Sequence, residues 1–318
     1  MNCKSLPVFV MLLLIITNAF SQKNKPLLVA SPDGKVKVTV EAAQRITWSV
    51  KHESTVVIAP SAVFLTLGTG EVLGENPKII SSKIESGNTI FNTTVYKKSK
   101  VSDNYNQLTI KCKGDYGVVI RAYNDGAAYR FFTAKKQKLI IRSEGAEFNF
   151  DKDHTAFIPY TSDLRGGERY TCSFEEFYTA APISKFNKDT LGYLPLLVQL
   201  DDNKKAVLLE ADVQDYPGMF VQLNQQLQYG IKATFAPYPL EETLGGYNRI
   251  NYMVTKRADY IAKVSGTRNF PWRVIVVSEQ DKELLNNDMV QKLSEPNKIE
   301  NTSWIKPCLL YTSPSPRD

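Results

Sequence analysis

Hydrophobic and polar positions alternate with a period of two along most of this chain. Residues 35–40 (KVKVTV) alternate strictly and follow the turn sequence Ser31-Pro32-Asp33-Gly34. Residues 45–50 (RITWSV) alternate again, as do 63–67, 89–95, 107–111 and 117–122. Residues 127–132 (AAYRFF) follow Asn124-Asp125-Gly126, and an Asp-Gly step favours a tight hairpin turn. Segments 139–141, 147–150, 194–200, 206–209, 219–223 and 230–235 continue the series. Successive side chains of a strand project to opposite faces, so each segment offers one apolar face to a core. The pattern predicts a mainly β fold. The number of segments exceeds a seven-stranded sandwich and points to a large antiparallel two-sheet β-sandwich.

The texture changes after Val277. Residues 279–293 (EQDKELLNNDMVQKL) place Leu284, Leu285, Met289, Val290 and Leu293 at helical spacing. Ser294-Glu295-Pro296 ends that pattern, and 297–307 reads as extended. The chain therefore divides into a sandwich domain, 22–278, and a helical and extended linker, 279–307. Before the sandwich, Lys4, the apolar run 6–16 and Ala19-Phe20-Ser21 form a secretory signal peptide over residues 1–21. The run is too short for a membrane span, and no cysteine follows closely enough for a lipid anchor. The expectation is an exported bacterial protein, periplasmic or extracellular. Residues 308–318 (CLLYTSPSPRD) lose all apolar periodicity and are expected to be a non-native tail.

Composition narrows the function. Hydrophobic residues make up 43% and charged residues 23%, as in a globular protein. The net charge of +6 is spread over pairs such as Lys97-Lys98, Lys135-Lys136 and Lys204-Lys205. These read as solvated lysines and argue against nucleic-acid binding. Outside the signal peptide and the tail, Cys112 and Cys172 are the only cysteines. Export would permit a disulfide between them, and the spacing leaves that open. The two histidines, His52 and His154, exclude a histidine-rich metal site and read as surface or turn residues.

The chain contains no GxSxG, HExxH, P-loop or GxGxxG motif. Glycoside hydrolysis needs two carboxyl groups about 5–9 Å apart across a sugar ring. The adjacent pairs Glu175-Glu176 and Glu241-Glu242 would point to opposite faces of a strand and cannot supply them. Glu210 differs from the other acids. The apolar strand 206–209 (AVLL) delivers it at a strand end, and Asp212 and Asp215 follow in a polar turn closed by Pro217-Gly218. Clustered oxygen ligands there would suit a hard cation such as Ca²⁺. Trp272 and Arg273, in the stretch FPWR, read as a seal of the sandwich or of its contact with the linker. Tyr129 and Arg130 read as the core and rim of a hairpin.

Several segments together resemble the N-terminal domain of glycoside hydrolase family 97. They are 31–39 (SPDGKVKVT), 124–131 (NDGAAYRF), 206–219 around Glu210, 266–275 (GTRNFPWRVI), 281–288 (DKELLNND) and 302–307 (TSWIKP). The family includes calcium-dependent α-glucosidases and retaining α-galactosidases. The resemblance implies a galactose-mutarotase-like super-sandwich, a helical linker, a catalytic (β/α)₈ barrel and a small C-terminal β domain. It implies that the acid and the base or nucleophile lie in the barrel, so that no residue of this chain is catalytic and the chain alone is inactive. It implies that Glu210 is the calcium ligand lent by the sandwich, which packs against the barrel. The expected substrates are α-linked glucosides or galactosides. Two other readings stay open: a standalone secreted carbohydrate-binding sandwich, and a structural or surface-interaction domain.

Overall fold

A computed structural model describes residues 25–161, 168–171, 174, 176–245 and 249–305. The segments read above as signal peptide and tail, residues 1–21 and 308–318, lie outside them, as do Cys172 and Glu175. Among the described residues two large antiparallel sheets carry nine and ten strands. The first runs in the order Leu27–Ala30, Val36–Ala42, Ile46–His52, Thr55–Leu67, Leu139–Asn149, Gly230–Phe235, Met219–Leu223. The second runs Thr179–Pro182, Thr155–Ile158, Leu196–Gln199, Lys205–Ala211, Trp272–Ser278, Gly126–Ala134, Tyr116–Tyr123, Lys100–Cys112, Ile79–Asn92. Short strands extend both sheets, and a separate ribbon pairs Pro239–Gly245 with Asn251–Arg257.

The predicted alternation builds the core between the sheets. Val36, Val38 and Val40 bury one face of their strand, and Ile46, Trp48 and Val50 do so on the next. Trp48 meets Tyr129 edge-on at 4.8 Å and Phe148 at 6.3 Å. Each such side chain contributes roughly 1.5–3 kcal/mol by leaving water. A second apolar cluster lies on the outer face of the ten-stranded sheet. Val207, Ala211, Trp272, Val274 and Val276 are covered there by Met289 and Leu293 of the linker. Trp272–Ser278 is consequently buried at every position, which accounts for the unbroken apolar run Val274–Val277.

The structure modifies several expectations. Segments 139–141 and 147–150 are one strand, Leu139–Asn149, with register shifts that carry the polar stretch Ser143-Glu144-Gly145 through the sheet. A Cβ at Gly145 would lie 2.1 Å from the Phe64 ring, so a larger residue there would have to displace that ring. The strand predicted over 89–95 stops at Asn92, where Thr93 N–H donates to the Ser99 carbonyl at 3.1 Å. The single amphipathic segment 279–293 is two short helices, Asp281–Leu285 and Met289–Leu293. The Asn287 side chain accepts the Met289 N–H at 3.0 Å, and such local bonds compete with a continuous helix. His52 and His154 are buried, against the surface reading, and so is Lys204. His52 continues the inward alternation of its strand, and the Lys204 ammonium donates to Glu53 at 3.1 Å and Thr55 at 3.3 Å.

Candidate functional site

Lys205–Ala211 pairs with Trp272–Ser278 so that Glu210 stands opposite Arg273 and Ala211 opposite Trp272. Ala206 and Leu208 belong to the core between the sheets, while Val207 and Ala211 belong to the outer cluster. Alternation therefore turns Glu210 and Arg273 inward. Arg273 is fully buried. Its Nε and Nη2 donate to the two oxygens of Glu144 at 2.7 and 2.8 Å, and its Nη1 donates to Glu210 Oε2 at 2.7 Å. Glu144 comes from the opposite sheet, so one guanidinium ties the two layers together. The Met219 N–H donates to Glu210 Oε1 and Oε2 at 2.9 and 3.1 Å. Phe235 and Tyr216 line the guanidinium, with ring centroids 4.9 and 5.9 Å away.

One positive charge here meets two carboxylates. Burial pushes the Glu210 carboxyl above its ordinary range, and the charge of Glu144 adds to the rise. Arg273 and the Met219 N–H oppose it without cancelling it. Burial alone would lower the Arg273 pKa, but Glu144 and Glu210 raise it, so the guanidinium stays charged. The cluster thus retains a buried excess of negative charge at the end of a strand. A carboxylate has about four lone-pair sites. Among the described residues Oε1 accepts only the Met219 N–H, so acceptor capacity remains, and a hard cation at Glu210 fits this donor set.

Asp212 and Asp215 do not join Glu210. Asp212 adopts a left-handed φ of 57°, which carries its side chain to the outer face. There it accepts from Arg130 Nη1 at 3.3 Å and from Gln214 Nε2 at 2.8 Å. Asp215, at φ 49°, shapes the same turn. Among the described residues His52, Glu53 and Glu279 also gather ligand atoms within 4.8 Å of one another. The ammonium groups of Lys204 and Lys35 sit 3.1 Å from Glu53 and 3.4 Å from Glu279, which leaves no excess negative charge for a cation. Glu241 and Glu242 are exposed on the ribbon, and Glu241 pairs with Lys256 at 2.8 Å.

Trp272 is buried as a seal between sheet and linker, as its sequence context implied. The Arg130 guanidinium lies 4.3 Å from its ring and that of Arg121 5.2 Å. Burial, reinforced by the like charge of Arg121, lowers the Arg130 pKa to about 10. Tyr129 is core and Arg130 is half-buried at the rim. Sequence reasoning missed the pairing of Arg273 with Glu144. A lone arginine in an apolar strand was the available signal, but its partner lies 129 positions away.

The family described as Glycosyl-hydrolase 97 N-terminal matches residues 29–296. A retaining alpha-galactosidase of Bacteroides thetaiotaomicron is 35% identical over 300 residues, covering 93% of this chain and 45% of the relative. A family 97 enzyme from Pseudoalteromonas sp. strain K8, solved with acarbose, superposes with a TM-score of 0.72. It is 25% identical over 88% of this chain and 40% of that one. A beta-arabinopyranosidase structure, 20% identical over 80% of this chain and 40% of its own, shares the fold with a TM-score of 0.64. The chain spans less than half the length of each of these relatives. With the family match running from the first sheet into the linker, the chain belongs to glycoside hydrolase family 97, whose N-terminal domain it carries.

Proposed function

We propose that this domain serves an exported, calcium-dependent glycoside hydrolase acting on α-linked galactosides or glucosides, and that Glu210 is its ligand to the ion. The observation that carries the reading is the excess of negative charge at Glu210, two carboxylates against the single Arg273 guanidinium. Bound calcium would supply a positive charge able to orient and polarise the leaving region of a glycoside. Glu210 offers an oxygen from a rigid strand end, and the Met219 N–H fixes its carboxylate. Calcium takes six to eight oxygen ligands. One glutamate holds it weakly, so the other ligands, the catalytic acid and its partner carboxylate come from a barrel domain packed on this one. Similarity to a retaining alpha-galactosidase places α-galactosides first among substrates to test. Export rests on the signal sequence over residues 1–21. The alternative of a standalone sugar-binding sandwich calls for an exposed aromatic platform, and Trp272 does not supply one, because it is buried beneath two guanidinium groups.

The test is hydrolysis of nitrophenyl α-galactoside and α-glucoside by the enzyme carrying this domain, first in chelator and then with calcium restored. Activity should vanish and return, and Glu210→Gln should need far more calcium for the same recovery. Turnover that ignores the chelator, or a Glu210→Gln enzyme with an unchanged calcium requirement, rules the reading out.

A further inference from the structure

We infer that Arg273 and Glu144 are positioning residues for Glu210, setting the direction in which its carboxylate meets a cation. The inference rests on the reading of Glu210 as a calcium ligand. Glu144 accepts two parallel N–H bonds from Arg273, at 2.7 and 2.8 Å, and a fork of this kind fixes the plane of the guanidinium. The third bond, from Nη1 to Glu210 Oε2 at 2.7 Å, then has a defined direction. The Met219 N–H holds the same carboxylate from Met219–Leu223, the last strand of the nine-stranded sheet. Two rigid elements, one in each sheet, therefore constrain a side chain that would otherwise sample several rotamers at a strand end. A purely stabilising role explains the arrangement poorly. Buried ion clusters are seldom more stable than apolar residues of the same volume, and this one keeps an unbalanced negative charge. Lysine cannot replace the arginine, because an ammonium lacks the planar fork.

The test uses the full enzyme and reads calcium affinity by terbium-sensitised luminescence with calcium competition. Partners that orient metal ligands typically set affinity by about 10- to 100-fold. Glu144→Gln and Arg273→Lys should each weaken calcium by that factor. Glu144→Gln keeps the shape of the side chain and carries the test if Arg273→Lys does not fold. A core variant remote from the triad, Val40→Ala, should lower the melting temperature and leave calcium affinity unchanged. The double variant Glu144→Gln/Glu210→Gln should bind no more weakly than Glu210→Gln alone, because Glu144 acts through Glu210. Glu144→Gln and Arg273→Lys proteins with wild-type affinity overturn the inference, as do losses that multiply in the double variant. If Glu210→Gln itself binds calcium normally, the reading beneath fails and the inference falls with it.

Discussion

At the residue scale, Arg273 shows how one charge organises an apolar layer. Removing one partner of a buried ion cluster strands the others, at a cost of about 3–5 kcal/mol. Arg273→Met should destabilise the protein by that amount in urea unfolding, since it leaves Glu144 and Glu210 facing each other unneutralised. Wild-type stability for this variant would mean that the cluster does not hold the sheets together. Glu210 was legible because an apolar strand ends on it. Its neighbours were not, for two physical reasons. Glu144 lies in a polar stretch that breaks the alternation, and only the fold brings it across the sandwich. Asp212 is two positions from Glu210, but its left-handed backbone sends it to Arg130 on the opposite face. His52 and Lys204 were misread for a related reason. Residue type suggested solvent, but strand register turns His52 inward, and Glu53 and Thr55 hold the Lys204 ammonium inside just before its strand begins.

At the scale of elements, the linker helices are docked by the turn that joins two long strands of the second sheet. Asp288 accepts from Lys98 and, at 2.8 Å, from the Tyr96 hydroxyl. Lys97 and Lys98 donate to the carbonyls of Asn287 and Asn286 at 3.1 and 2.9 Å. Burial, together with the bond to Asp288, lifts the Tyr96 hydroxyl to about 12. Burial would raise the Asp288 carboxyl too, but Lys98 and Tyr96 outweigh it and hold it below its ordinary range. A carboxyl with a depressed folded pKa contributes stability that is present at neutral pH and lost as pH falls through that pKa. Amide exchange protection across Met289–Leu293 should therefore drop as pH falls below about 4, the ordinary carboxylate range. Asp288→Asn should lose about 1 kcal/mol of that protection at pH 7 and remove its pH dependence, allowing for partial exposure. Protection insensitive to both changes would mean that apolar burial of Met289 and Leu293 holds the linker without this clamp. The Asn124-Asp125-Gly126 turn also belongs to this scale. Gly126 has φ 153°, and a Cβ there would lie 2.3 Å from the Ile275 carbonyl oxygen. Gly126→Ala should therefore cost more than about 1 kcal/mol in a denaturant melt. The sequence marked this turn correctly, because its chemistry is local. It read the linker as one helix because apolar spacing does not register the side-chain bonds of Asn287.

At the scale of the molecule, period-two alternation sufficed for the class of fold but not for its wiring. Which strands pair depends on contacts distant in sequence: Leu139–Asn149 lies beside Thr55–Leu67 and Gly230–Phe235, and Gly126–Ala134 beside Trp272–Ser278. The same wiring decides what the chain can do by itself. Hydrolysis of a glycoside needs two carboxyl groups about 5–9 Å apart on either side of a sugar. Glu144 lies across the guanidinium of Arg273 from Glu210, where no sugar can pass between them. Asp212 is tied to Arg130, and Glu53 and Glu279 are matched by lysines. The polypeptide over residues 25–305 should therefore fold and hydrolyse nothing. Trp48 and Trp272 are buried and Trp304 is exposed, so a cooperative change in tryptophan emission will report whether the sandwich has formed. A preparation that unfolds cooperatively yet leaves nitrophenyl α-galactoside and α-glucoside intact, with or without calcium, matches the prediction. Turnover that persists through purification and is abolished by Glu210→Gln would instead make Glu210 a catalytic acid, and the triad would have to be reread as the device that raises its pKa.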